Sequence, residues 1–316
     1  GTGIKTALVD AGGRVDQAWT VPTPVVDGDG DATAEAVLDR VAQLVADLGA
    51  QAASAGRGRP AGVGVIVPGL VDAAAGVARY AENLGWRDVP FAARLSQATG
   101  LPVAFDHDVR AAGAAEHQLG AGRGHRDVAF VSIGTGIAAA LVLDGRPYSG
   151  GGWAGEIGHI DVGSGRPCPC GATGCLETIA SAAAIARRYT ERTGLAVGGA
   201  LDVAARLGGS AGGSAGGSAG ADPDAHLVWD EAVDVLAFVL AMTAAVAAPE
   251  LIVIGGGLSG AGDALLDPLR RGVAARVTAP QRHPELVRAA LGEQAGLLGA
   301  ALLAWRQAGV DMQEAS

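Results

Sequence analysis

The sequence predicts an α/β protein built from two lobes of the same plan. Strand-like and helix-like segments alternate along most of the 316 residues, which is typical of α/β folds with a mainly parallel sheet. The phrase GTGIKTALVD at residues 1–10 returns as GTGIAAALVL at residues 134–143, with seven of ten positions identical. Because each copy heads an α/β stretch, we interpret the repeat as an internal duplication.

Hydrophobic patterning predicts the elements of the first lobe. Short runs of β-branched and small residues predict strands at 1–10, 62–67 and 101–105, the first ending in a turn at 10–13 and the second at Pro68-Gly69. Apolar residues at helical spacing predict helices at 32–50, 89–98 and 109–118.

The second lobe repeats this order. The hairpin 128–133 and 137–143 turns at Gly134-Thr135-Gly136, and the apolar run LIVI at 251–254 predicts a buried strand. Helical spacing predicts helices at 179–192, 229–248, 263–277 and 295–308. GGSA occurs three times in succession at 208–219. Such a composition buries no apolar surface, so we predict a flexible surface insertion over 208–221.

Charge and hydropathy limit the classes of function. The formal net charge is −10 and no basic cluster is present, so contacts to the phosphates of a nucleic acid are not expected. No apolar run reaches 18 residues without glycine or charge, so neither a membrane span nor a signal peptide is predicted. We expect a cytoplasmic protein whose partners are small molecules.

Glycine-rich turns predict a phosphate or nucleotide site. Glycine lets a phosphate approach the backbone, whose amides can bind it. Gly1-Thr2-Gly3 and Gly134-Thr135-Gly136 are equivalent turns between strands, and an ordinary hairpin is the alternative. Gly255-Gly256-Gly257 follows a buried strand and precedes a helix. This turn suits the sugar or base of a nucleotide, with a plain left-handed turn as the alternative.

A cysteine cluster predicts a metal site. The three cysteines of the chain, Cys168, Cys170 and Cys175, lie within eight residues and follow His159. The pattern H-x8-C-x-C-x4-C offers four ligands of the type that zinc prefers, and four protein ligands predict a structural site. A chance cluster or a reactive thiol is the alternative.

Carboxylates flank this cluster. Glu156 lies three residues before His159, and Glu177 lies two residues after the last cysteine. A zinc-fixed loop would present both carboxylates and the imidazole together, an array that suits a polyhydroxylated ligand. Solvated surface charge is the alternative for each glutamate.

A second acidic group follows the strand predicted at 101–105. Asp106, His107 and Asp108 stand just before a predicted helix, where ligand sites of open α/β sheets cluster. A carboxylate there can accept the proton of a substrate hydroxyl. Capping of the helix is the simpler role for one of them.

Together these residues resemble the ROK family (repressors, open reading frames and kinases) over nearly the whole chain. The resemblance is most specific at GEIGHIDVGSGRPCPCGATGCLE, residues 155–177. The supporting motifs are GTGI twice, VPGLVD (67–72), ENLGW (82–86), HDVRAAGAAE (107–116), PELIVIGGGLS (249–259) and LGEQAGLLGAA (291–301).

The resemblance implies an actin-like, ribonuclease-H-like ATPase fold of two duplicated α/β lobes with a cleft between them. The N-terminal lobe would cover 1–118 and be joined by a C-terminal helix at about 297–316. The larger C-terminal lobe would cover 119–296, with the zinc loop at 159–175 and the insertion at 208–221. A homodimer or homotetramer is also implied.

The resemblance further implies an ATP-dependent sugar kinase that uses Mg²⁺ and structural Zn²⁺ and converts glucose to glucose 6-phosphate. Asp108 resembles the catalytic base. The positions that match sugar contacts are Gly69, Asn83, His107, Asp108, Glu156, His159 and Glu177. The positions that match ATP contacts are Gly1, Thr2, Gly134, Thr135, Gly136, Gly256 and Gly257, and those that match the zinc set are His159, Cys168, Cys170 and Cys175.

Three features depart from the family pattern. His107 replaces the usual asparagine before the catalytic aspartate, the GGSA repeats have no counterpart, and the usual Asp-x-Gly would fall before Gly1, so we expect a start that lacks it. Four alternatives remain: a kinase for N-acetylmannosamine, N-acetylglucosamine or fructose, a polyphosphate-dependent glucokinase that shares GTGIK, a repressor without its DNA-binding domain, and a non-catalytic sugar sensor.

Overall fold

The chain divides into two compact units, each made of more than one segment of the sequence. The computed structural model describes residues 3–208, 221–310 and 312. Gly1, Thr2 and residues 209–220 of the predicted insertion lie outside this part. Unit 1 consists of Gly1–Leu119, Ser149–Ala154 and Glu293–Ser316, and unit 2 of Gly120–Tyr148 and Gly155–Gly292. Residues 149–154, which the sequence places in the second lobe, therefore belong to unit 1.

Unit 1 contains short sheets covered by helices. Its strands are β1 (Gly3–Val9), β2 (Val15–Pro22), β3 (Val63–Val67), β4 (Leu70–Asp72), β5 (Val77–Tyr80), β6 (Arg87–Val89) and β7 (Val103–His107). Its helices are α1 (Gly30–Ser54), α2 (Phe91–Thr99), α3 (Asp108–Leu119) and α9 (Ala295–Gln307). β1 pairs antiparallel with β2, β3 pairs parallel with β7, and β4, β5 and β6 form an antiparallel sheet.

Helix α9 returns from the end of the chain to the core of unit 1. A Cβ atom on Gly64 of β3 would lie 1.8 Å from the carbonyl oxygen of Ala300, and one on Gly299 would lie 2.3 Å from that of Ala111 in α3. Glycine at these two positions therefore lets α9 pack directly on β3 and α3.

Unit 2 is built on one five-stranded sheet in the order β10-β9-β8-β11-β12. Its strands are β8 (Val128–Ile133), β9 (Ile137–Leu143), β10 (Arg146–Tyr148), β11 (Leu251–Gly255) and β12 (Glu285–Arg288). Its helices are α4 (Glu177–Ala180), α5 (Ala182–Thr193), α6 (Ala200–Leu207), α7 (Pro223–Ala247) and α8 (Asp263–Arg276). Helix α7 contributes a long buried face to the core that covers this sheet.

Two predictions about the sheets and helices are wrong. Antiparallel strand pairs outnumber parallel ones among the described residues, because strands joined by short turns must run antiparallel. The helix predicted at 179–192 is interrupted at Ser181, whose backbone is extended (φ −67°, ψ 154°). The Ser181 hydroxyl accepts a hydrogen bond from the amide of Ala184 at 3.1 Å, so it caps α5.

Helix boundaries also shift where a cap is present. Helix α7 begins at Pro223, six residues before its predicted start, because the Asp222 carboxylate accepts hydrogen bonds from the next amides and proline is tolerated in a first turn. Helix α2 begins at Phe91 rather than residue 89, because Val89 pairs with Ala78 in the sheet. Among the helices described, none has the length and apolar character to cross a bilayer.

Candidate active site

Asp108 stands at the carboxyl end of β7, as the first residue of α3. Its Oδ1 atom accepts a hydrogen bond from the amide of Val109 at 2.7 Å and lies 3.3 Å from Nε2 of His107. The His107 side chain is 9% exposed, whereas that of Asp108 is 43% exposed. The carboxylate is thus oriented on one side and open on the other, as a general base requires.

Arg110 is a buried residue that sequence analysis did not identify. Its guanidinium forms an ion pair with Asp106 at 2.7 Å. It also donates to the carbonyl oxygens of Val71 and Gly152, each at 3.3 Å. Asp106 is therefore engaged in a structural ion pair, and Asp108 is the carboxylate left open. The sequence signal for this ion pair was the i,i+4 spacing of Asp106 and Arg110.

The other two unit 1 residues predicted to contact sugar, Gly69 and Asn83, follow strands of two different sheets, β3 and β5. Val67 and His107 are partners in the parallel register of β3 and β7, so the turn at Gly69 lies at the same sheet end as Asp108. Asn83 is exposed in a turn after β5. The buried Leu84 and Trp86 anchor that turn.

In unit 2 the structure brings the two glycine turns together. Ser132 of β8 pairs with Gly255 of β11, so the turn 134–136 and Gly256-Gly257 lie at one end of the sheet. A Cβ atom on Gly256 (φ 76°) would lie 2.5–2.7 Å from three backbone atoms of Ile133. The turn 134–136 is closed by a hydrogen bond from the Gly134 amide to the Gly136 carbonyl at 2.9 Å. Thr135 lies between them.

The predicted zinc ligands converge in space. One ligand atom from each of His159, Cys168, Cys170 and Cys175 lies within 4.8 Å of every other. The sulfurs of Cys170 and Cys175 are 3.7 Å apart, and Nδ1 of His159 lies 3.9 Å from the Cys168 sulfur. Zn–S bonds of about 2.3 Å in a tetrahedral site place two sulfurs about 3.8 Å apart. The donor set and its spacing therefore fit zinc.

The three thiols differ electrostatically. Burial raises the pKa of Cys168 and that of Cys175. A hydrogen bond from the backbone of Ala172 lowers the pKa of Cys170, which is exposed. Cys170 is therefore the thiol that ionises first and is most accessible to an incoming cation.

The carboxylates of Glu156 and Glu177 lie next to the His159 ring of this cluster. Oε2 of Glu156 lies 4.0 Å from Nε2 of His159, and Oε1 of Glu177 lies 3.8 Å from Nδ1 of the same ring. The Cys168 thiol donates to Oε1 of Glu177 at 3.3 Å. A Cβ atom on Gly136 would lie 2.9 Å from Oε2 of Glu177. Glu177 therefore links the cysteine cluster to the glycine turn.

Comparison with known proteins places this chain among sugar kinases. The ROK family model matches residues 1–307. A glucokinase of Halalkalibacterium halodurans is 35% identical over 97% of this chain and 93% of its own length. An N-acetylmannosamine kinase of Escherichia coli O157:H7 is 32% identical over 96% of this chain and 95% of its own length.

A solved structure of a ROK family sugar kinase is also similar to this chain. The Streptomyces griseus ROK glucokinase in complex with glucose and AMPPNP is 31% identical, with a TM-score of 0.76 over 97% of this chain and 96% of that one. The fold is therefore the actin-like ATPase fold of these kinases, and the chain belongs to the ROK family.

Proposed function

We propose that this hexose kinase transfers the γ-phosphoryl group of ATP, bound as its magnesium chelate, to the 6-hydroxyl of glucose. The observation that carries the proposal is the open carboxylate of Asp108. Both of its contacts engage Oδ1, which leaves Oδ2 to meet a sugar hydroxyl. Asp108 accepts the hydroxyl proton as the oxygen attacks the γ-phosphorus, and the ADP oxygen leaves with its electron pair.

We assign sugar contacts in each unit separately. In unit 1 we assign Gly69, Asn83 and His107 to sugar contacts, with Asp108 at the reacting hydroxyl. In unit 2 we assign Glu156, His159 and Glu177, whose polar groups are close together around the imidazole. Carboxylates accept hydrogen bonds from hydroxyl groups, so this array can fix the orientation of a sugar ring.

The nucleotide is held by glycine turns. We assign phosphate contacts to Gly134, Thr135 and Gly136, where the amides of Thr135 and Gly136 and the Thr135 hydroxyl are the donors, because the Gly134 amide closes the turn. We assign nucleoside contacts to Gly256 and Gly257. Gly1 and Thr2 belong to the equivalent turn in the first copy of the repeated phrase. We therefore assign phosphate contacts to them as well. Amides aimed at the transferring phosphoryl group stabilise the charge that develops there.

Zinc has a structural role in this proposal. His159, Cys168, Cys170 and Cys175 would hold it, and a site with four protein ligands supplies rigidity rather than an open coordination position. The bound metal would fix the ring of His159 and the backbone that carries Glu177.

Phosphorylation of N-acetylmannosamine is the second candidate. The 32% identity with an N-acetylmannosamine kinase favours it. A coupled assay across glucose, mannose, fructose, N-acetylglucosamine and N-acetylmannosamine, with ATP and then polyphosphate as donor, separates these activities. A kcat/KM highest for an N-acetylhexosamine would reject the glucose assignment. Size-exclusion chromatography with light scattering tests the homodimer or homotetramer that we also propose.

Substitution of Asp108 tests the mechanism. We expect Asp108→Asn to lower kcat by about 10²–10⁴-fold, the usual contribution of a general base, while sugar affinity measured by calorimetry changes little. Asp106→Asn is the matched control, because it removes a neighbouring carboxylate that pairs with Arg110. The control should lose stability and keep most of its kcat. A kcat near wild type in Asp108→Asn would remove Asp108 from the role of base.

A further inference from the structure

The carboxylate of Glu177 belongs to a helix of a single turn. Helix α4 has four residues, Glu177–Ala180, and begins two residues after Cys175. A helix leaves its last four carbonyl groups without partners inside the helix, and a helix of this length is not stable by itself in water. The orientation of Glu177 therefore depends on contacts that other elements make with α4.

The cysteine loop holds the amino end of α4. The Leu176 amide donates to the carbonyl oxygen of Ile160 at 2.9 Å, and Oγ1 of Thr178 donates to that of Cys175 at 2.7 Å. Both bonds lie on the side of α4 that faces the loop in sequence. The carboxyl end of α4 needs a separate support.

A buried arginine of α5 supplies that support. Nη1 of Arg188 donates to the carbonyl oxygen of Ile179 in α4 at 3.0 Å and to that of Val228 in α7 at 3.4 Å. Nη2 of the same guanidinium forms an ion pair with Glu231 of α7. The Arg188 side chain is 6% exposed. Arg188 therefore joins α4 to the longest helix of unit 2 from the inside.

The burial of this charge explains why the link is rigid. Burial lowers the pKa of the Arg188 guanidinium, and the Glu231 carboxylate opposes this effect. A buried cation is costly unless hydrogen bonds and an opposite charge satisfy it. The guanidinium therefore has one favourable position, in which it bonds Ile179, and a shift of α4 would break that bond.

We propose that Arg188 is a positioning residue for sugar binding, which fixes α4 and through it the carboxylate of Glu177. The inference rests on the sugar contact proposed for Glu177. Because the bonds of Arg188 go to α4 and α7, it acts on the sugar through Glu177 rather than by contact.

The test is a double-mutant cycle on sugar affinity, measured by calorimetry with the sugar of highest kcat/KM, which is glucose in our proposal. Arg188→Met and Glu177→Gln should each weaken binding about tenfold, as expected for the loss of a hydrogen bond to a charged group. If Arg188 acts through Glu177, the double variant should bind within about threefold of Glu177→Gln, whereas independent effects would multiply to about a hundredfold. In Arg188→Met the KM for sugar should rise while kcat stays within about twofold of wild type.

Two further variants separate positioning from stability. Tyr189→Phe is the matched control, because it removes a buried hydrogen bond that the next residue of α5 donates to Asp222. It should lower the unfolding temperature but leave sugar affinity within about twofold of wild type. Arg188→Lys keeps a buried cation without the planar fork of donors, so it should fold and still weaken sugar binding about threefold. Hydrogen exchange of residues 176–181 should accelerate in both Arg188 variants and not in Tyr189→Phe.

Three results would overturn the inference while leaving the kinase assignment intact. They are an equal loss of sugar affinity in Tyr189→Phe, full multiplication of the two effects in the double variant, and wild-type affinity in both Arg188 variants beside a weakened Glu177→Gln. Wild-type affinity in Glu177→Gln itself would instead reject the sugar contact assigned to Glu177, and the inference with it.

Discussion

Replacement of Gly256 by alanine should destabilise unit 2 strongly, whereas the same replacement at Gly257 should not. Gly256 has φ 76° and ψ 176°, a region essentially restricted to glycine, where another residue costs about 1–3 kcal/mol. Its added Cβ would also lie 2.5–2.7 Å from backbone atoms of Ile133, which is fully buried. Because that backbone is held in the sheet, relief of the overlap costs about 1–3 kcal/mol more.

The combined loss is therefore about 2–6 kcal/mol. A Cβ atom on Gly257 would have no neighbour within 4 Å, so its alanine variant should stay within about 0.5 kcal/mol of wild type. Hydrogen exchange of α7 reports on unit 2 alone and should accelerate by at least about 30-fold in Gly256→Ala. If the two variants exchange at equal rates in α7, the close packing of the two glycine turns is refuted.

Three further substitutions test the structural role of the metal, the selectivity for sugars and the pH dependence of stability. Cys170→Ser should lose bound zinc by elemental analysis and raise the KM for sugar about tenfold, since the loop that carries the flanking carboxylates loosens. Full sugar affinity without metal would refute the scaffold role. His107→Asn should change the ratio of kcat/KM between glucose and its epimer mannose by about tenfold or more, and an unchanged ratio would place His107 away from the sugar. The hydrogen bond from Tyr189 lowers the pKa of Asp222. The ionised carboxylate therefore adds stability above the unfolded pKa of about 3.9, and this is lost as pH falls through the lower folded pKa. Urea midpoints of wild type should exceed those of Asp222→Asn at pH 6, and the gap should narrow below pH 4. A gap that is constant with pH would contradict this.

The sequence predicted those parts of the candidate site that depend on local spacing. Three cysteines within eight residues and a histidine nine residues before them converge without help from distant elements. The position of Asp108 was predictable because a strand and a helix meet there in sequence. The glycine turns of unit 2 were predictable one by one, but their contact depends on the pairing of β8 with β11, which joins residues more than 120 positions apart.

Other features depend on contacts that leave no local pattern. Arg110 reaches carbonyl groups 39 and 42 residues away, and carbonyl acceptors carry no residue signature. Three-residue strands such as β4 and β6 are too short to show a period. The interruption at Ser181 is hidden because serine is compatible with both a helix interior and a cap, and tertiary packing decides between them.

Because unit 1 is assembled from separate segments of the chain, its last segment is synthesised after the whole of unit 2. Unit 2 ends at Gly292, but unit 1 also needs Glu293–Ser316, including the α9 surface that packs on β3 and α3. Unit 2 therefore has all of its residues available while the first-made unit still lacks the helix that covers its core. Until α9 emerges from the ribosome, the nascent unit 1 exposes apolar strand and helix faces of the kind that chaperones bind.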